Sequence, residues 1–276
     1  MIRVFVDSGS SIKQNEKEKL GVEIIPLNIT LGEKEYIDGV NLSNDEFYHA
    51  LIEEKIFPKT SLPALGEAEQ AVTEYVNNGD EVIILPISSG ISGTYNSLKM
   101  LFSDCDKVRV IDTKTAVGGI RILVEEINKY RDRALDFIER KLYDLIPRIR
   151  IIAIPDTLEY LYRGGRLSKT AMIAGSISKI RPLIGIDSST GKVKSFGKGL
   201  GRRRAMQLLV DYLKTERCSK KHSIVPSFSY NKANLEELIG MTDKEYHSQM
   251  TEFDDLDHAI ACHWGPNAFG YIFVAE

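Results

Sequence analysis

Four near-continuous apolar runs constrain this chain more than any other feature. They are IRVFVD (2–7), EVIILPIS (81–88), KVRVID (107–112) and RIRIIAIPD (148–156). Each reads as a strand buried on both sides, the habit of a parallel sheet. Amphipathic stretches lie between them: NDEFYHALIEE, GEAEQAVTEYVNN, GTYNSLKMLFSD and RILVEEINKYRDRALDFIERKLYDLI. Alternating strand and helix is the signature of an α/β layered domain. Every one of the four strands ends in Asp or Ser. Ligands of open parallel sheets sit at the carboxyl ends of strands. Asp7/Ser8, Ser88/Ser89, Asp112/Thr113 and Asp156/Thr157 are therefore expected along one edge.

The pattern changes after about residue 157. SIVPSFSY, EYHSQMTEFD and AFGYIFVA are shorter and more alternating, with two helical segments, RRRAMQLLVDYLKTE and NKANLEELIGM, among them. The expectation is an α/β domain over 1–157 and an α+β domain over 158–276 with a mainly antiparallel sheet.

Composition narrows the function classes. The 276 residues are 43% hydrophobic and 27% charged, enough for a real core. A net charge of −3 gives no general attraction to nucleic acid. Cys105, Cys218 and Cys262 form neither a zinc pattern nor a disulfide framework, which suits a reducing cytoplasm. No secretory leader is expected from MIRVFVDSGSS, and no apolar stretch reaches membrane-spanning length.

The sharpest local feature is VIILPISSGISGTYNS (82–97), where a buried strand gives way to small residues and then a helix. The first amides of a helix lack internal partners and carry partial positive charge. Ser89, Gly90, Ser92, Gly93 and Thr94 therefore make a cradle for a phosphate or a carboxylate, or simply cap the helix. A P-loop is excluded because no Lys follows, and a nucleophile elbow because Thr94 stands where Gly is needed. Two prolines in FPKTSLPALGEAE (57–69) hold Thr60 and Ser61 extended. DTLEYLYRGGRLSK (156–169) places Arg163 and Arg166 around a Gly-Gly turn, where they are either solvated or ready for an anion. ACHWGPNAFG (261–270) puts His263 just before a Gly-Pro turn, in a structural or a binding role.

In this order and spacing the four segments, with FVDSGSSI at the start, resemble the DegV family over essentially the whole chain. The resemblance implies the two-domain DegV fold and a fatty-acid carrier without catalytic residues or cofactor. It implies that Thr60, Ser92 and His263 hold the carboxylate of a long-chain (C16–C18) fatty acid. Ser61, Ser89, Gly90, Gly93, Thr94 and Arg166 support that site. TAMIAGSISKIRPLIGI and neighbouring strands are expected to line the acyl tunnel. Each buried methylene contributes about 0.8 kcal/mol, so a sixteen-carbon chain gains roughly 10 kcal/mol before ordering costs. The implied partner is a fatty acid kinase that phosphorylates the bound carboxylate.

Two departures from the family pattern stand near the site. HWGPNA has Trp264 and Asn267 where the family has Thr and Gly, and KTAVGGI carries Lys114 and Ala116 before Gly118-Gly119. The basic cluster Arg202, Arg203 and Arg204 reads either as a docking patch, for the kinase or for transient membrane contact, or as a solvated helix start. The alternative to a carrier is an enzyme acting on a small phosphorylated or carboxylated metabolite with Asp7, Asp112 and the serines. A structural interaction module is the third reading.

Overall fold

A computed structural model describes residues 1–168 and 180–276. Among them are thirteen strands: β1 (Ile2–Asp7), β2 (Val22–Ile25), β3 (Asn28–Leu31), β4 (Lys34–Ile37), β5 (Lys59–Ser61), β6 (Glu81–Leu85), β7 (Val108–Val110), β8 (Ile149–Ile154), β9 (Ile180–Ile186), β10 (Val193–Leu200), β11 (Val225–Phe228), β12 (Asp254–Asp255) and β13 (Phe269–Val274). They form a parallel sheet, β2-β1-β6-β7, and a mostly antiparallel one, β10-β9-β8-β13-β11-β12. The small antiparallel sheet β4-β3-β5 completes the set.

Double-sided burial explains the parallel sheet. Val4, Val6, Ile83 and Leu85 face the helices Gly118–Asn128 and Leu135–Leu145. Phe5, Val82, Ile84 and Val110 face the opposite way, under the helices Leu65–Asn77 and Thr94–Leu101. Fully burying one such side chain contributes about 1.5–3 kcal/mol, so neither face tolerates a polar residue. RILVEEINKYRDRALDFIERKLYDLI does not form one helix. It breaks between Asn128 and Leu135, where Arg131 donates to the side chain of Asn128 and to the carbonyls of Leu20 and Gly21.

The fourth apolar run, expected in the parallel sheet, lies elsewhere. It is β8, antiparallel to both β9 and β13 at the centre of the second sheet. Its run of apolar residues arises from burial on both faces all the same. Ile149 and Ile151 join the core beneath the parallel sheet. Ile152 and Ile154 pack on the far side against Met206, Leu209 and Leu213 of the helix Arg202–Thr215. Continuous apolarity reports two covered faces, and strand direction is a separate matter. The change of sheet thus comes before Ile149, ahead of the expected division at 157, and Asp156 and Thr157 do not share the edge of Asp7, Ser88 and Asp112. EYHSQMTEFD is likewise not a strand throughout: it opens within the short helix Lys244–His247 and contributes only its last residue, Asp254, to β12.

Candidate ligand-binding site

The first core runs without interruption from the inner face of the parallel sheet to the inner face of the antiparallel one. A cavity of about 320 Å³ opens inside it, within the range of small-molecule sites. Its floor is the inner face of β8, β13 and β11, and the helix His258–Trp264 runs along its side. Most of its polar groups gather at the mouth, where Thr60, Ser61, Ser92, Arg166 and His263 meet, while Ser227 lies on the floor.

Four separated segments supply that mouth. Pro58 and Pro63 bracket β5, which is held extended by pairing with β3, Thr60 opposite Ile29. Thr60 Oγ1 lies 2.9 Å from His263 Nε2. Ser92 Oγ accepts from the Thr94 amide at 3.2 Å and sits 2.9 Å from the Thr94 hydroxyl, so it caps the helix Thr94–Leu101 and lines the cavity at once. Arg166 Nε donates to the Ile91 carbonyl at 2.8 Å, which sets a permanent positive charge beside Ser92. Its neighbour Arg163 instead pairs with Glu159 at 2.7 Å and stacks over Phe57.

His263 is neutral across the physiological range. Burial, reinforced by the nearby Arg166 charge, pushes its pKa down to about 3. Its Nδ1 has no hydrogen-bond partner among the described residues. A Cβ on Gly164 would run into that ring, so glycine is required for the imidazole to sit where it does. The mouth therefore presents three hydroxyls, a neutral imidazole and a guanidinium. That donor-rich set suits a carboxylate.

The remaining residues singled out from sequence divide clearly. Ser61 and Gly93 line the cavity, whereas Ser89, Gly90 and Thr94 stand behind or beside it. The Ser89 hydroxyl turns outward to Asp112, which also pairs with Lys114 at 2.7 Å. Ser88 donates to the Gly191 carbonyl at 2.8 Å, and a Cβ on Gly90 would strike that same Gly191 backbone, so the hinge is clamped onto the β9–β10 turn. Asp7 is fully buried, accepting from the amides of Ile87 (2.9 Å) and Gly9 (3.0 Å), and burial lifts its pKa to about 7. Neither Asp7 nor Asp112 reaches the cavity. Trp264 lines it, and Asn267 occupies a left-handed turn with φ 62°. Arg202, Arg203 and Arg204 begin a helix away from the cavity, with Arg202 3.5 Å from Glu237. Of the stretch expected to line a tunnel, residues 170–179 fall outside the described residues, while Ile186 does line the cavity.

Sequence reasoning missed two features. One is Val117, which lines the cavity with φ 44° and ψ −135° at the start of Gly118–Asn128. A β-branched residue there stores strain on the order of 1–3 kcal/mol, and such strain collects at ligand clamps. No sequence signal marks it beyond the Gly-Gly pair that follows. The other is a buried polar cluster. Lys13 pairs with Asp257, and burial raises the pKa of Asp38 and of Asp254 to about 7. The run FDDLDH (253–258) reads as solvated surface until the fold buries it.

Comparison with known proteins agrees with this fold. The DegV family model, described as an uncharacterised protein family, matches residues 1–276. A DegV domain-containing protein of Caldanaerobacter subterraneus is 31% identical over 280 residues, covering 99% of this chain and 98% of its own. A stearic-acid-binding protein from Eubacterium ventriosum superposes with a TM-score of 0.84 at 25% identity, covering 100% and 98% of the two chains. DegV of Bacillus subtilis, a fatty-acid-binding protein, superposes with a TM-score of 0.83 at 25% identity, covering 100% and 99%. On the match along its full length, this chain belongs to the DegV family.

Proposed function

We propose that this chain is a carrier that binds one long-chain fatty acid and presents its carboxylate to a separate fatty acid kinase. The observation that supports this most directly is the shape of the site: a largely apolar cavity between two sheets, with most of its polar donors gathered at one mouth. In this reading Thr60, Ser92 and His263 hold the carboxylate, with Arg166 supplying charge and Ser61 and Gly93 completing the rim. The acyl chain lies along the floor of β8, β13 and β11. Its methylenes provide most of the affinity, about 0.8 kcal/mol each.

Presentation requires the carboxylate to stay within reach of a partner. Thr60, Ser92, Arg166 and His263 are only half-buried, which is consistent with that requirement. The Thr60–His263 pair at the mouth has no acid behind it, since His263 Nδ1 has no partner among the described residues, and the acids an enzyme would need are tied up elsewhere, so the carrier reading is favoured over hydrolysis or transfer by the chain itself. Arg202, Arg203 and Arg204, exposed beside Leu200, are the surface we assign to docking on the kinase or to brief contact with a membrane. No helix among the described residues is long and apolar enough to cross a membrane. We place this carrier in the cytoplasm.

Mass spectrometry of an organic extract from natively purified protein tests the binding half. Near-stoichiometric C16–C18 acid is expected; folded protein that is empty and refuses added palmitate would overturn it. The presentation half is tested by adding ATP and a fatty acid kinase to the loaded protein. Acyl-phosphate, trapped as hydroxamate, is expected only when all three are present.

A further inference from the structure

One polar side chain interrupts the apolar floor. Strand register aligns Ala153 of β8, Gly270 of β13, Ser227 of β11 and Asp254 of β12 in a single row across the sheet. Ala153, Gly270 and Ser227 all line the cavity, so the row is a trough of small residues. Neighbouring strands are about 4.8 Å apart, which puts Ser227 roughly 10 Å from Ala153. The helix His258–Trp264 gives the direction: Ala259 lies at its first turn and His263 at its last, about 6 Å further along. Residue 227 sits on the strand beside β12, and β12 ends just before that first turn. Ser227 therefore lies on the β12 side of the floor, while Ile151 and Ile272 carry the cavity one pleat further from the end of β8 that leads to Gly164 and His263.

We propose that this side of the floor is a subsite for a hydroxyl carried on the acyl chain, received by Ser227 with Asp254 behind it. The proposal rests on the fatty-acid reading above. Ser227 is buried and donates to Asp254 Oδ2 at 3.3 Å. With its proton committed there, the lone pairs of the serine oxygen remain to accept from a ligand hydroxyl. Asp254 is itself buried, beside the cationic Lys13 and Arg121. Alanine or glycine at 227 would keep the trough equally narrow. Serine adds an acceptor, fixed by a buried acid, where the rest of the floor offers only hydrocarbon. Elsewhere in such a tunnel a ligand hydroxyl would be stranded without a partner, at a loss of roughly 10-fold or more in affinity. Asp254 acts by orienting Ser227; the serine oxygen is the atom that meets the ligand.

Delipidated full-length protein is titrated with stearic acid and with a series of hydroxystearic acids bearing the hydroxyl at successive carbons from mid-chain outward, followed by the fluorescence of Trp264, the sole tryptophan. At least one hydroxystearate is expected to bind within about threefold of stearate. Ser227→Ala should lower the affinity for that hydroxystearate relative to stearate by about 10-fold. Two results would overturn the subsite: wild-type protein that rejects every hydroxystearate by 10-fold or more, or a Ser227→Ala variant with an unchanged ratio. Folded wild-type protein that binds neither class of acid would instead overturn the fatty-acid reading, and the subsite with it.

Discussion

The two large sheets are apolar on both faces, yet they contribute to the cavity in different ways. The parallel sheet acts through the loops at its strand ends, where Ser88 to Thr94 supply hydroxyls and a helix start. The antiparallel sheet acts through the middle of its strands, where Ala153, Gly270 and Ser227 form a floor. Loops can carry polar groups because water or a ligand satisfies them. A strand interior can carry only what its neighbours leave room for. Polar recognition and apolar capacity are therefore expected to respond to separate mutations.

The largest effect tests the close approach of β13 to β8. A side chain at Gly270 would collide with the Ile152 carbonyl and Ala153. Gly270→Val is expected to cost about 3 kcal/mol or more, lowering the thermal midpoint by roughly 6–12 °C. A midpoint within 2 °C of wild type in calorimetry would show that the floor is not built on that contact.

Next comes the mouth. Thr60→Val and Ser92→Ala each remove a hydroxyl offered to a charged acceptor, a loss of about 1.5–3 kcal/mol, or 10- to 100-fold in fatty-acid affinity. Binding of a long-chain alcohol, which lacks the charge, should change far less. Equal losses for acid and alcohol would break the division between mouth and floor.

A smaller change sharpens the comparison from the other side. Ala153→Leu fills part of the trough without touching the mouth. Stearate affinity should fall about fourfold per methylene displaced, at about 0.8 kcal/mol each, and shorter acids should gain relative to longer ones. Competition between acids of different length reads this directly.

The smallest effect is in pH dependence. The Asp7 pKa is raised from 3.8 to about 7 on folding, so its contribution to stability is complete below 3.8 and is lost as pH rises through 7. His263 is the reverse: lowered from 6.5 to about 3, it contributes fully above 6.5 and loses that as pH falls. The two oppose each other between about pH 4 and 6.5. Asp7→Asn removes the acid's share, so the variant should lose stability on acidification more steeply than wild type, by up to about 1.4 kcal/mol per pH unit. Denaturant titrations at pH 5 and pH 7 that stay parallel would contradict the burial assigned to Asp7.

Much of the mouth was legible in the residues themselves. Prolines around Lys59-Thr60-Ser61 dictate an extended strand, and Ser92-Gly93-Thr94 dictate a helix start, because both are local consequences of φ restriction and capping. The floor was not legible. Its register depends on which strands pair, and β8 reads from its own residues as readily for a parallel sheet as for the antiparallel one it joins. The same limit hid the buried acids, since Asp38 and Asp254 look like surface residues until distant segments cover them.

By itself, then, the amino-acid order determined the α/β class, the strand-to-helix hinge and the hydroxyl-bearing segments, all set by short-range sterics and hydrophobic periodicity. Only the tertiary structure decided that Thr60 meets His263 across 203 residues and that Ser227 stands over Asp254 on the floor of the same cavity. Those meetings depend on long-range packing of two sheets on one core, which no local stretch of sequence encodes.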